Sequence, residues 1–239
     1  MKGSKLLNRL VKLYEKTEFT RKLFIKARTS RMVGSSRIVE YNWVLTHLGN
    51  VRKILDVGST TSLFPIQLAG INYDVYSIDP RNYVEWHGLV HPKMKFVQGD
   101  ITQTPFTSEF FEAVIAISTI EHIGTEDYYT NIMVDEAGDL KAIKEIARIL
   151  KEDGKFIFTV PYRQKMSYST LQKRKVPFIR RYNEKTIRNR LLKDLFDIET
   201  EQYFCRQNGF WHHASIEEMK NLGEKDGLAC IVARKTKER

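Results

Sequence analysis

Three things are scarce in this sequence, and each scarcity excludes a class of protein. Cysteine occurs twice, as Cys205 and Cys230, without Cys-x-x-Cys spacing. That removes a disulfide framework and a thiolate zinc site, and both thiols, in apolar or aromatic surroundings, read as structural. No run of eighteen apolar residues occurs, so no membrane-spanning helix is expected. The start, MKGSKLLNRLVKLYEKTEF, lacks the apolar centre and small-residue cleavage site of a secretory signal, and the chain reads as cytoplasmic. Glycine, finally, is missing where a dinucleotide would need it. After KILDVG (53–58) come Ser59, Thr60, Thr61 and Ser62 in place of G-x-G-x-x-G. A pyrophosphate at the next helix would meet extra side chains at the amides it needs, so a nicotinamide or flavin dinucleotide is disfavoured.

What is present is positive charge, unevenly placed. The formal net charge is +10. Residues 1 to 31 hold ten Lys and Arg against Glu15 and Glu18, a local +8, and residues 163 to 193 hold eleven against Glu184, a local +10, leaving −8 for the rest. Two basic segments on a mildly acidic body suit an anionic acceptor, a membrane surface or nucleic acid, and solvated helix faces would account for them equally well. Leu6, Leu10, Leu13 and Tyr14 share one side of a helix whose other side carries Lys5, Arg9, Lys12 and Lys16. That basic amphipathic helix either packs on its own domain or lies peripherally on an anionic membrane.

The 239 residues, 42% of them hydrophobic, suit one globular domain with appendages. We read residues 1–49 as a helical extension and 50–239 as the main domain, with a basic insertion at about 162–183 and a late connection at about 205–226. SSRIVEYNWVLTHLG (35–49) predicts a serine-capped helix entering the domain. From residue 51 short β-rich runs alternate with helical ones, the pattern of a parallel sheet: 52–57, 73–78, 95–98, 112–118 and 155–160. The runs near 196–204 and 228–235 predict an antiparallel edge pair. In an open parallel sheet the ligand lies beyond the carboxyl ends of the strands, so the residues just past the first four are the candidates. They are Asp56 and Gly58; then Asp79, placed to accept from both hydroxyls of a ribose; then Asp100, placed to accept from an adenine amine, with Ile101 beside the ring. A nucleoside without phosphates fits this set.

ILDVGS, YSID, VQGDIT, FFEAVIAISTIEHIG and EIARILKEDGKFIFTVPY follow one another over residues 54–162 in the order and spacing of the class I S-adenosylmethionine-dependent methyltransferases, which the chain resembles. The resemblance implies an α/β, Rossmann-like seven-stranded mixed sheet, mostly parallel with its last strand antiparallel, and helices on both faces. It implies S-adenosyl-L-methionine as cofactor and S-adenosyl-L-homocysteine as product. By position it makes Asp56, Gly58 and Ser59 the turn at the methionine moiety, Asp79 the ribose ligand, Asp100 and Ile101 the adenine clamp, and Ser118 a neighbour of the sulfonium. The sequence departs from the family at Thr60, where a second glycine is usual, and at Ser59, often cysteine or glycine there. Small hydroxyl side chains still fit and can donate to a carboxylate.

A methyl group on a sulfonium is already activated, so the protein has to position it in line and make the acceptor nucleophilic. A sugar hydroxyl, with a pKa near that of water at about 16, needs a base or a metal. His122 stands in the loop after the fourth strand with a suitable ordinary pKa, and Glu121 is placed to orient it or to contact the cofactor. Glu-His is widespread there in the family whatever the acceptor, so a structural role stays open. Asp135, Glu136 and Asp139 offer hard oxygens to a cation, but Asp139 reads equally as a helix N-cap, and no metal is expected. On the acceptor side Tyr162, Arg163, Arg180, Arg181 and Tyr182 are candidates for an anionic group, with Trp211 and His212 completing a pocket. Asn183 predicts a helix cap. These features point to methyl transfer onto oxygen of a small polar acceptor, such as a phosphate-linked or lipid-linked sugar. An RNA methyltransferase is the first alternative, although the chain has no RNA-binding module. A cofactor-free binding subunit on the same fold is the second.

Overall fold

The computed structural model describes residues 35–59, 62–82, 90–125, 134–170, 177–223 and 225–237. The amphipathic helix expected within residues 1–31, and Thr60 and Thr61, lie outside them. The chain divides into two compact units, 1–38 and 39–239. In the first, Ser35 Oγ accepts from the Arg37 amide at 3.2 Å, the serine cap expected from sequence. Helix α1 follows at Arg37–His47 and ends ahead of Gly49, whose φ of +64° stops the helix.

The second unit is a mixed sheet packed on both sides. Strands β1 (Lys53–Val57), β2 (Asp74–Asp79), β3 (Met94–Gln98), β4 (Phe111–Ile117) and β5 (Leu150–Tyr162) run parallel. β8 (Phe196–Gln207), β9 (Phe210–Ala214) and β10 (Gly227–Lys235) are antiparallel to their neighbours, in the order β3-β2-β1-β4-β5-β10-β8-β9. Helices α2 (Phe64–Gly70) and α3 (Gly138–Ile149) supply crossovers. Alternation along each strand divides the core: Phe111, Val114 and Ala116 of β4 face one way with Ile143 and Ile146 of α3. Ala113, Ile115 and Ile117 face the other, with Trp43 and Val44 of α1 and Leu68 of α2. Each fully buried Ile or Leu contributes about 1.5–3 kcal/mol, so both faces hold the β1–β4 junction firmly.

The five parallel strands fall where the hydrophobic runs predict them. The late pair does form, but β10 lies between β5 and β8, and the edge belongs to β9, raising the strand count to eight. The basic insertion contains its own hairpin, β6 (Ser167–Thr170) with β7 (Pro177–Arg181). Beyond it Asn183 caps α4 (Glu184–Thr186), its Oδ1 accepting from the Thr186 amide at 2.8 Å; the helix continues as a π-helical turn, Ile187–Leu192. Short α5 (Ile216–Lys220) opens on a Ser215–Glu218 capping box.

Candidate active site

Strand order reverses at β1, which has β2 on one side and β4 on the other, and the crevice beyond the carboxyl ends of these strands is the ligand position of an open α/β sheet. A cleft of about 670 Å³, counting solvent at its mouth, opens there, within the usual range for small-molecule sites. Its walls are Gly58 after β1; Asp79, Pro80 and Arg81 after β2; Asp100 and Ile101 after β3; and Thr119, His122 and Thr125 after β4.

Gly58 is required for two reasons. Its φ is +78°, and a Cβ would lie 2.5 Å from both Cγ2 and Oγ1 of Thr119. Thr119 cannot easily yield, since its hydroxyl donates to the carbonyls of Val57 and Ile117 at 3.1 and 3.0 Å and so ties β1 to β4. Among the described residues of the turn, the Ser59 and Ser62 hydroxyls face the scaffold. Ser59 is buried and hydrogen-bonded to Ser77 of β2, while Ser62 bonds Tyr41 at 2.8 Å and accepts from the Phe64 amide at 3.0 Å. Asp56 is buried behind the turn.

Asp79 stands at the end of β2 with both oxygens engaged by Arg81: the Arg81 amide and Nε reach Oδ1 at 2.9 Å each, and Nη2 reaches Oδ2 at 3.1 Å. Asp100 is exposed and closes its own turn, Oδ1 accepting from the Thr102 amide at 2.8 Å, and Ile101 is buried beside it. Glu145 of α3 holds the loop that follows, accepting from the Thr104 amide and hydroxyl at 2.9 and 2.6 Å and from Arg148 Nη2 at 2.6 Å.

After β4 the chain turns sharply at Ser118, φ +43°. Its amide reaches the carbonyl and the hydroxyl of Thr159 at 3.1 and 2.9 Å. Its own hydroxyl does not face the cleft: it donates to Glu40, a fully buried carboxylate of α1 that also accepts from Thr159 Oγ1 at 2.7 Å. Glu40 is not recognisable from the sequence as part of the site, because its partners come from two strands far along the chain. A 3-10 turn, Ile120–His122, then presents His122, exposed, to the cleft and buries Glu121 on the side of the core. Thr125 Oγ1 donates to the His122 carbonyl at 2.8 Å.

The acceptor-side residues are placed differently from the expectation. Arg180 is fully buried and donates to the carbonyls of Ile123, Gly124 and Asp135, pinning the neck of the loop beyond His122. Tyr182 is buried too, and its hydroxyl donates to Asp139 Oδ2 at 3.0 Å. Burial, then the carboxylates of Asp139 and Glu121, push its phenol far up, so it stays neutral. Arg163 bonds Asp226 and the Lys225 carbonyl at 3.0 and 2.6 Å. In this structure these side chains are engaged by the scaffold, as the buried Arg180 guanidinium requires. Tyr162 is buried against Tyr203, and Arg181 is half-buried on β7. Trp211 and His212 lie on β9, four strands from β4, roughly 19 Å at the usual strand spacing and away from the cleft. Asp139 is not the cap of α3; it sits in the first turn, held by Arg190 at 2.7 Å as well as by Tyr182. Asp135 pairs with Lys141 at 2.7 Å.

A family model described as a methyltransferase domain matches residues 55–158, the stretch that runs from β1 into β5 and carries every wall of the cleft. Residues 55–158 thus match a methyltransferase domain. Sterol 24-C-methyltransferase erg6 of Aspergillus fumigatus is 31% identical over 132 residues, covering 50% of this chain and 31% of the relative. The chain therefore spans about a third of the length of that curated protein. Among solved structures, the 1,6-didemethyltoxoflavin-N1-methyltransferase of Burkholderia thailandensis is 15% identical with a TM-score of 0.63, covering 94% of this chain and 90% of its own. The [4+2]-cyclase SpnF is 16% identical with a TM-score of 0.59, covering 85% and 82%. A methyltransferase and a cyclase on one fold show that the fold alone names no acceptor.

The residues present fit S-adenosylmethionine, the cofactor that the sequence resemblance implies. Gly58 leaves room for close backbone approach, Asp79 holds a fork of two donors on its two oxygens, the pattern a vicinal diol also offers, and Asp100 and Ile101 line the same cleft.

Proposed function

We propose that the chain transfers a methyl group to an oxygen of a small polar acceptor, with His122 as general base. When bound, S-adenosylmethionine supplies a methyl group on a positively charged sulfur, ready for displacement. Asp79, Asp100 and Ile101 hold the nucleoside, and Gly58 lets the methionine portion lie along the β1 turn. His122 takes the proton of the acceptor hydroxyl, which makes its oxygen nucleophilic toward that methyl group, and passes the proton on to water. The observation that supports this reading is the meeting, in one cleft, of two acids, Asp79 and Asp100, from the ends of β2 and β3, with Gly58 of the β1 turn and the exposed imidazole of His122 beyond β4.

The test is transfer of a labelled methyl group to a panel of hydroxylated acceptors. We expect His122→Asn to lower kcat by roughly 10²–10⁴, the usual contribution of a positioned base, with unchanged affinity for S-adenosylhomocysteine. Asp79→Ala should weaken that affinity at least tenfold. Full turnover in His122→Asn would remove the base from the mechanism. A carbon acceptor is the second reading, favoured by the similarity to a sterol 24-C-methyltransferase, and an unsaturated lipid in the same panel separates the two.

A further inference from the structure

The sequence reading of YSIDPR stops at Asp79, yet the structure adds two residues to it. Pro80 fixes the backbone direction after β2, and its carbonyl is held by Gln98 Nε2 at 3.0 Å. The next amide, that of Arg81, folds back on Asp79 Oδ1 in an Asx turn, and the side chain follows it. The resulting ion pair lies inside the cleft: the Asp79 side chain is 0% exposed and that of Arg81 20%. The guanidinium places Nε on one carboxylate oxygen and Nη2 on the other, the two-point pattern that strengthens arginine–carboxylate pairs. A vicinal diol offers two hydroxyl donors to the same two oxygens. Both cannot be there together.

We propose that Arg81 is an affinity-determining residue of the nucleoside cleft, an internal stand-in for the ribose diol that the incoming ligand must displace. This rests on the reading of Asp79 as the ribose ligand. Binding then requires the minor conformation in which the guanidinium has left the carboxylate, and the apparent dissociation constant is raised by the inverse of that conformation's population. The Asx-turn amide can stay on Oδ1 throughout, so only the side chain has to move.

The experiment is calorimetric titration of S-adenosylhomocysteine into the full chain and into Arg81→Ala, Arg81→Gln and Arg81→Lys, with melting temperatures measured in parallel to establish folding. We expect Arg81→Ala and Arg81→Gln to bind about tenfold more tightly than the parent, as for a closed state favoured about ten to one, and Arg81→Lys to gain less, since an ammonium still donates to the carboxylate. A gain in affinity is not what loss of a merely structural arginine produces. Measurable binding only in the variants would support the proposal as well. Equal or weaker binding by folded Arg81→Ala and Arg81→Gln, with the parent binding, would overturn it and leave the proposed function standing. Absence of binding by the parent and every variant would overturn both.

Discussion

Glu40 and Ser118 lie 78 residues apart in sequence and are joined in the interior by a hydrogen bond from the serine hydroxyl to the carboxylate. The bond locks a non-glycine residue into the left-handed region, a conformation that costs about 1–2 kcal/mol and that turns the chain from β4 into the His122 segment. Thr159 Oγ1 donates to the same Glu40 oxygen. Glu40→Ala would leave two hydroxyls without this acceptor, at about 1–3 kcal/mol for each one that stays buried and unpaired. We expect a loss of roughly 2–4 kcal/mol in urea denaturation, and a smaller loss for Glu40→Gln, whose carbonyl oxygen can still accept. Stability of Glu40→Ala within about 0.5 kcal/mol of the parent would show that the clamp contributes nothing.

Gly58→Ala probes the β1 turn from the other side. The positive φ costs about 1–3 kcal/mol for alanine, and the new methyl group meets Thr119. A loss of about 2 kcal/mol corresponds to roughly 4–8 °C in melting temperature for a chain of this size. Because the clash is with one side chain, Thr119→Ala in the same chain should recover part of the loss, and the double-mutant cycle should be non-additive by about 0.5–1 kcal/mol. Strict additivity would place the whole cost in the backbone angle.

The parallel strands and the acids at their ends were readable because each depends on local pattern: an apolar run, an acid at its end, and a period that matches the pleat. What escaped depends on distance or on burial. Arg163, Arg180 and Tyr182 look like an exposed basic insertion in sequence, yet the chain folds them onto Asp226, the neck carbonyls and Asp139. Charge alone does not tell a surface arginine from a buried one. Ser59 is equally at home facing a ligand or a neighbouring strand, and Ser77 decides the matter. Strand β9 was legible and overlooked: Asn208–Gly209, with φ of +51° and +84°, is the dipeptide of a tight hairpin, flanked by aromatic runs that pair in register. Its exposed Phe210 and His212 gave the segment the composition of a loop.

Glu145 links stability to acidity in the loop beyond Asp100. Its carboxyl lies at about 2, below the ordinary 4.5, first because Arg148 donates to it and then through the hydroxyl and amide of Thr104, against an opposing effect of burial. A lowered folded-state pKa stabilises the fold above the unfolded value, and the contribution is lost as pH falls from about 5 towards 2. The displacement corresponds to about 3 kcal/mol at most, and nearer 2 once the partial exposure of Arg148 is allowed for. Glu145→Gln should therefore be about 2 kcal/mol less stable than the parent at pH 7, and the difference should shrink steadily below pH 5. Chemical denaturation of both proteins from pH 7 to pH 3 measures it, and the difference cancels every carboxylate they share. A gap that stayed constant across that range would mean that Glu145 holds the Thr104 loop by shape and not by charge.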